Sequence, residues 1–220
     1  MPDSTTAADC YRIAEKYGLH PNFPDAVRRL FEGRALEETS KPDDPIFVHS
    51  RWWPILSSSS AAQAAGKLLS KHGFAVEIDN APDDWPYDRA AEHLLGRVHE
   101  LRKGVSRVAL VSAGEITVKV DRSGGVGGRN QHFALHCAQH IAGEHITVLS
   151  AGTDGMDGNS SAAGAVVDGT TLERAREMGL SAHLALEKFD SSSFFEKLGD
   201  AVITGPTGNN VRDLRMLLAW

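Results

Sequence analysis

The first part of the chain carries two short amphipathic segments, followed by a polar stretch. The spacing of apolar residues predicts one helix over residues 5–17 and a second over residues 24–32. Gly33 follows the second segment, as glycine often does where a helix ends. Residues 34–45 are polar and include two prolines, a composition typical of a linker. We therefore expect a helical connector over residues 1–45.

Beyond this connector, strand-like apolar runs alternate with helix-like stretches. The alternation predicts an α/β domain over residues 46–220, with a mixed sheet layered with helices. Residues 116–120 alternate apolar and polar side chains, which predicts a hairpin partner for the strand at 108–112. The final stretch, 211–220, fits either a strand or a helix. Further strands are predicted at 46–49, 74–78, 146–150, 164–167 and 201–203, and helices at 61–71, 87–103, 130–142 and, as two or three short ones, within 171–198.

Composition and charge narrow the classes of function. Of 220 residues, 41% are hydrophobic and 24% charged, as in ordinary soluble domains. We expect neither a membrane span nor a signal segment, because no apolar run approaches roughly 18 residues. The 23 Lys and Arg against 29 Asp and Glu give a net charge of −6, which argues against a nucleic-acid partner. Cys10 and Cys137 are too few for a disulfide scaffold, so we expect a cytoplasmic protein.

A glycine-rich loop at residues 123–131 leads into the helix predicted from Asn130. Gly127 and Gly128 would let the backbone approach a ligand, and the helix start presents free N–H groups. Arg129 adds a forked cation. Such a corner suits a phosphate or a carboxylate, although a flexible hairpin loop with a surface arginine has the same sequence. Asn130 stands where a dinucleotide fingerprint needs its third glycine, which argues against NAD.

Two carboxylates lie in a second loop, residues 151–158, directly after a predicted strand. Asp154 and Asp157 are three residues apart and separated by glycine. Oxygen ligands on such a loop suit Mg²⁺ or a general base. The alternative is a pair of Asx turns that only shape the loop.

The third loop, residues 204–210, also follows a predicted strand. Thr204, Thr207 and Asn210 could donate hydrogen bonds to a phosphate or a sugar, or could belong to a plain turn.

Three histidines stand four residues apart on the helix predicted at 130–142. His132, His136 and His140 would share one face, as in a zinc site. The glutamate of the H-E-x-x-H motif is absent, and Phe133, Cys137 and Ile141 form the expected core stripe. A solvated polar face is therefore the favoured interpretation.

Six short motifs, in chain order, resemble those of one known family. They are AGEITV, GGRNQ, GTDGMDG, AAGA, TGPTG and NVRDLR, beginning at residues 113, 127, 152, 162, 204 and 210. This combination closely resembles the MOFRL family of class II ATP-dependent glycerate kinases, some of which have been labelled hydroxypyruvate reductases. The resemblance implies that residues 1–45 end the family's first domain, and that a MOFRL region runs from about 108 to 220 within the second.

The resemblance also implies a reaction and a set of roles. ATP would phosphorylate the 2-hydroxyl of D-glycerate with Mg²⁺, on a chain that forms a possible homodimer. Arg129 would hold the transferring phosphoryl group or the substrate carboxylate, and Glu115 would support it. Asp154 or Asp157 would hold Mg²⁺ or orient the hydroxyl. The expected substrate-binding residues are Gly127, Gly128, Asn130, Thr204, Thr207 and Asn210.

The family's chains are about twice as long as this sequence. The Rossmann-like first half, which would hold ATP and a functional lysine, has no counterpart here, and the sequence starts inside a family motif. A late start codon, a shortened chain or a decayed gene would explain this. We expect residues 1–220 to fold without turnover. The alternatives are a non-catalytic anion-binding or assembly module and, less favoured, a hydroxypyruvate reductase. Among several departures from the family pattern, His132 replaces Glu and Phe189 replaces Asn.

Overall fold

The computed structural model describes residues 2–51, 53–120 and 124–220. The chain divides into two compact units, Met1–Pro54 and Ile55–Trp220. Both cysteines are free thiols. None of the described helices combines the length and the apolar character that crossing a bilayer requires.

The first unit contains two helices, α1 (Ala7–Lys16) and α2 (Asp25–Glu32). Thr6 begins α1 with a reciprocal capping box to Asp9. The strand predicted at 46–49 is wrong, because Pro45–Phe47 forms a 3₁₀ turn. The Asp44 carboxylate accepts a hydrogen bond from the Ile46 N–H at 3.0 Å and closes that turn.

The second unit is a mixed α/β layer structure, as the alternation predicted. Its six strands, counted over the described residues, form one sheet in the order β1-β2-β6-β3-β4-β5. Only β1 and β2 are parallel to each other, and the other pairs are antiparallel. The strands are β1 (Ala75–Ile78), β2 (Val108–Gly114), β3 (Ile146–Gly152), β4 (Gly164–Asp168), β5 (Ala201–Val202) and β6 (Asp213–Ala219), and the helices are α3 (Ser58–Lys71), α4 (Tyr87–Arg102), α5 (Arg129–His140), α6 (Thr171–Glu177), α7 (Ala182–Glu187) and α8 (Ser191–Leu198).

Helices cover both faces of the sheet. Val111 and Ala113 pack against Ala62 of α3, whereas Val108 and Leu110 join the larger core with α4 and α5. Because successive side chains of a strand point to opposite faces, every residue of β2 is buried. This explains why β2 is continuously apolar apart from Ser112.

Residues 116–120 are not the hairpin partner predicted for β2. That strand already pairs with β1 on one side and β6 on the other, so neither edge is open. Thr117 instead bridges to the segment before α4, where its N–H donates to Trp85 O at 2.8 Å. The ambiguous stretch 211–220 contains β6, which lies between β2 and β3.

Candidate functional site

A cavity of about 530 Å³ opens beside the start of α5, and we call it the glycine-loop pocket. The pocket lies between the glycine-rich loop, the segment after β2 and Phe189, which directly precedes Asp190, the N-cap residue of α8. Ser123 of the predicted loop lies outside the described residues. The residues that line it include Glu115, Gly127, Gly128, Arg129, His132 and Phe189.

Arg129, the first residue of α5, is held by two carboxylates. Its Nε and Nη2 donate to the two oxygens of Asp213 at 2.5 and 3.0 Å, and Nη2 lies 3.0 Å from Glu115 Oε1. The hydrogen-bonded Asp213 carboxylate raises the pKa of Arg129, which therefore stays charged. Within the described part of the chain, Nη1 has no hydrogen-bond partner. Two N–H donors of the guanidinium thus remain available on the pocket wall.

A second arginine lies behind this pair, fully buried in the sheet. Arg215 Nη2 donates to Gly114 O at 2.9 Å, and Nη1 lies 4.0 Å from Asp213 Oδ2. Burial lowers the pKa of Arg215 to about 10, which leaves it protonated at neutral pH. Two cations therefore face the buried Asp213 carboxylate. We infer that Arg215 helps to hold the Asp213 carboxylate in line with Arg129.

Asp157 lies behind the pocket wall and caps the start of α5. One carboxylate oxygen accepts from the backbone and side-chain nitrogens of Asn130 at 3.0 and 3.2 Å. The other accepts from the same groups of Gln131 at 2.8 and 3.2 Å. The side chain is buried, which raises its pKa. The protein's own carboxylate thus satisfies two of the free N–H groups from which we predicted an anion site.

Two backbone donors remain at the pocket side of this helix start. The N–H groups of Gly128 and Arg129 have no acceptor among the residues that the structure describes. A Cβ at Gly128 would collide with Asp157, so only glycine fits between the helix start and its cap. The pocket therefore offers backbone N–H groups and the free edge of Arg129 on one wall, a donor set that suits a carboxylate or phosphoryl oxygen.

The predicted second and third loops are joined to each other through Thr153, Asp154 and Thr207, which do not line the pocket, whereas Gly158 at the end of the second loop does. Thr207 Oγ1 donates to Thr153 O at 2.6 Å, and its N–H donates to Asp154 O at 3.0 Å. The Asp154 carboxylate accepts from the Met156 N–H at 3.1 Å, as in an Asx turn. Both Thr204 and Asn210 make local hydrogen bonds. The Thr204 hydroxyl donates to the Gly205 carbonyl, and the Asn210 side-chain oxygen accepts from the Arg212 N–H.

The predicted site residues thus fall into three groups. Glu115, Gly127, Gly128 and Arg129 line the pocket, and Asn130 and Asp157 support its wall from behind. The others, Asp154, Thr204, Thr207 and Asn210, form the separate loop cluster, and their roles stay predictions. Sequence reasoning missed Asp213, although it stands in one of the family-like motifs.

The helix face with the three histidines is only partly solvated. His132 is 3% exposed, so the prediction of a solvated position is wrong there, because Tyr87 and Phe189 cover its ring. His136 and His140 line another cavity, of about 600 Å³, between α4 and α5. No group of three or more histidine, cysteine or acidic side chains in the described ranges is arranged to hold a metal ion. The predicted core stripe of this helix is confirmed.

Comparison with known proteins adds a family and relatives. The model of the MOFRL family matches residues 108–213. D-glycerate 2-kinase of Thermotoga maritima is 35% identical over 218 residues, which are 97% of this chain and 50% of that protein. Glycerate 2-kinase of Pyrococcus horikoshii is 34% identical over 222 residues, again 97% and 50%. The chain therefore spans about half the length of the curated relatives it matches.

Comparison with solved structures leads to the same group of proteins. The crystal structure of glycerate kinase from Thermotoga maritima superposes with a TM-score of 0.78 at 33% identity. That similarity covers 100% of this chain and 51% of the other. The resemblance drawn from the six motifs and the mixed α/β fold are both confirmed.

Proposed function

Because residues 108–213 form a MOFRL family domain and the whole chain is homologous to glycerate 2-kinases, we propose that it forms one wall of a glycerate 2-kinase active site. The observation that carries this proposal is the clamped Arg129. Its Nη1 edge borders the pocket beside two backbone N–H groups, and among the described residues none of these donors has an acceptor. An arginine fixed by two carboxylates presents its donors in one orientation, which suits the planar carboxylate of a hydroxy acid.

The proposed reaction moves the γ-phosphoryl group of ATP to the 2-hydroxyl of D-glycerate. An O–P bond forms at the hydroxyl oxygen, the bond to ADP breaks, and the hydroxyl proton is released. Phosphoryl transfer depends mostly on positioning and on charge stabilisation. In this chain, Arg129 and the N–H groups of Gly128 and Arg129 bind and orient the substrate carboxylate, while Asp213, Arg215 and Glu115 keep the guanidinium in place.

The described carboxylates do not make a resident magnesium site. Both oxygens of Asp157 already accept hydrogen bonds, and Asp154 stands alone in its Asx turn. Mg²⁺ commonly binds through one or two carboxylates together with substrate phosphates. We propose that it enters as part of the Mg·ATP substrate, held mainly by protein outside this chain.

Calorimetric titration of the 220-residue chain with D-glycerate, 2-phosphoglycerate and ATP tests the proposal. We expect D-glycerate to bind at millimolar concentration or tighter, and Arg129→Lys to weaken binding by about tenfold or more, because a point charge cannot replace the fork. Arg174→Lys is the control, since Arg174 also makes a bidentate pair, through Nη1 and Nη2 to Asp200 at 3.0 and 2.7 Å, and does not line the pocket. Equal affinity of Arg129→Lys and wild type would remove Arg129 from the site.

A coupled assay of ADP release tests whether these 220 residues bind only the acceptor substrate or also the nucleotide. With D-glycerate, Mg²⁺ and ATP, the 220-residue polypeptide is expected to show no turnover, because one wall of the cleft cannot align the γ-phosphate. Turnover on the order of 1 per second or faster would show that the nucleotide binds within these residues.

Binding without turnover is also what a non-catalytic anion-binding or assembly module predicts. This second candidate rests on the same clamped Arg129 and its pocket, considered without the phosphoryl transfer. Supplying the amino-terminal half of a relative as a separate polypeptide distinguishes the two. Restored ADP release supports the proposal that the chain forms one wall of a kinase active site. Continued absence of ADP release, together with a dimer observed by sedimentation, supports the non-catalytic module. Cytoplasmic location and a homodimer stay predictions.

A further inference from the structure

His132 has a position in the pocket that its role in α5 packing does not explain. The residue is 3% exposed and lines the glycine-loop pocket. Its ring contacts Tyr87 edge-on, with centroids 4.5 Å apart, and stacks on Phe189 at 5.3 Å and 15°. In the part of the chain that the structure describes, neither ring nitrogen has a hydrogen-bond partner. These nitrogens are not among the fully buried unpartnered atoms of the described residues, so the exposed part of the ring presents them to the pocket.

The Phe189 ring that stacks on this imidazole is positioned by the end of α7. Phe189 has a φ of +52° because it follows the last turn of that helix in a Schellman motif, in which its N–H donates to Leu186 O at 3.1 Å and the Asp190 N–H donates to Ala185 O at 2.8 Å. This turn places the Phe189 ring against His132, and the imidazole shares the pocket wall with the aliphatic side chains of Ile116 and Val118.

The protonation state of His132 determines which chemical group can form hydrogen bonds with its ring. Burial, together with the neighbouring His136, lowers its pKa to about 4. At neutral pH the ring is therefore uncharged and has one N–H donor and one acceptor nitrogen. A hydroxyl group, which both donates and accepts, matches this ring better than a second carboxylate does. A base this weak is also poorly suited to deprotonate an alcohol.

Arg129 and His132 are three residues apart on α5, so they are neighbours on one helix face, with about 5–6 Å between their Cβ atoms. We propose that His132 is a specificity-determining residue that hydrogen-bonds the terminal hydroxyl of the substrate while Arg129 holds its carboxylate. This inference rests on the proposed function. The 2-hydroxyl, which lies between the two anchored ends, then faces the open side of the pocket, where the phosphoryl donor must approach.

The test compares D-glycerate with D-lactate, which lacks only the terminal hydroxyl. For wild type we expect D-glycerate to bind three- to tenfold more tightly, the difference that one neutral hydrogen bond makes. His132→Phe, which keeps an aromatic ring, should lower D-glycerate affinity to that of D-lactate and leave D-lactate unchanged. His132→Gln should restore part of the difference. His136→Phe is the control, because His136 faces the other cavity.

Four results would overturn the inference, and they are distinguishable from one another. If wild type binds D-glycerate and D-lactate equally, or if His132→Phe keeps the wild-type difference, His132 has no such role although the proposed function stands. If neither acid binds wild type, both fail. Should His132→Phe not fold, ring ¹⁵N shifts of His132 in wild type decide, since D-glycerate should move them and D-lactate should not. Unmoved shifts with bound D-glycerate refute the proposal.

Discussion

Asp157 and Asp154 look equivalent in the sequence, yet their contacts predict opposite responses to the same substitution. Asp157→Asn replaces one carboxylate oxygen by an NH₂ group, which cannot accept the hydrogen bonds made there. Either the Asn130 pair or the Gln131 pair of N–H donors then loses its acceptor at the buried start of α5. Asp154→Asn affects a single hydrogen bond in a partly exposed turn, where an amide oxygen serves as well.

The magnitude follows from the donors left without a partner. A buried donor without an acceptor costs about 1–3 kcal/mol, and loss of a helix cap about 0.5–2 kcal/mol. Burial raises the pKa of Asp157, so an amide recovers part of the desolvation cost. We expect Asp157→Asn to lower the free energy of unfolding by about 2–3 kcal/mol. In a unit of this size that corresponds to roughly 5–10 °C in Tm.

Thermal unfolding followed by near-ultraviolet circular dichroism, with and without Mg²⁺, measures this difference. Hydrogen exchange at the Asn130 and Gln131 amides should accelerate in Asp157→Asn and stay unchanged in Asp154→Asn. If both variants have the melting temperature of wild type, the capping argument is refuted. If Mg²⁺ stabilises wild type and Asp157→Asn abolishes that stabilisation, Asp157 is a metal ligand instead.

Two further predictions concern the same helix. The free energy of unfolding should fall as pH drops from 6.5 towards 4, because the unfolded chain then binds a proton that buried His132, with its pKa lowered to about 4, does not bind in the folded state. The loss amounts to about 3 kcal/mol, and urea unfolding of His132→Phe should lack it; identical pH profiles would contradict this. Gly128→Ala should destabilise through collision of its Cβ with Asp157, whereas Gly96→Ala, in open space on α4, should stabilise by up to about 1 kcal/mol. Equal melting temperatures for the two variants would rule out the collision.

Local sequence rules predicted the layers well and the site only in part. Alternating strands and helices, the glycine loops and the position of Arg129 could all be predicted, because each depends on neighbours in the chain. The partners of Arg129 could not. Asp213 reaches it only because β6 pairs with both β2 and β3, and no local pattern specifies that strand order.

Two errors have the same non-local origin. The alternating residues 116–120 satisfy the rule for a hairpin strand, but β1 and β6 already occupy both edges of β2. The histidine spacing suggested a polar face, but Phe189, from a segment 57 residues away in sequence, covers His132. At the start of α5, Asp157 already accepts hydrogen bonds from two of the N–H groups from which an anion site was predicted, and no local pattern in the sequence indicates that cap.

The central position of β6 has a consequence for how the domain is made. During synthesis β6 is the last of the six described strands to leave the ribosome. Seven of its residues nevertheless pair with β2 on one side and with β3 on the other. Until it emerges, the nascent chain can hold β1 with β2, and β3 with β4, but cannot join the two halves. The exposed edges of β2 and β3 are then open to pairing with other chains. Closure of the sheet therefore delivers Asp213 and Arg215 in the same event, so that assembly of the arginine clamp and completion of the fold coincide.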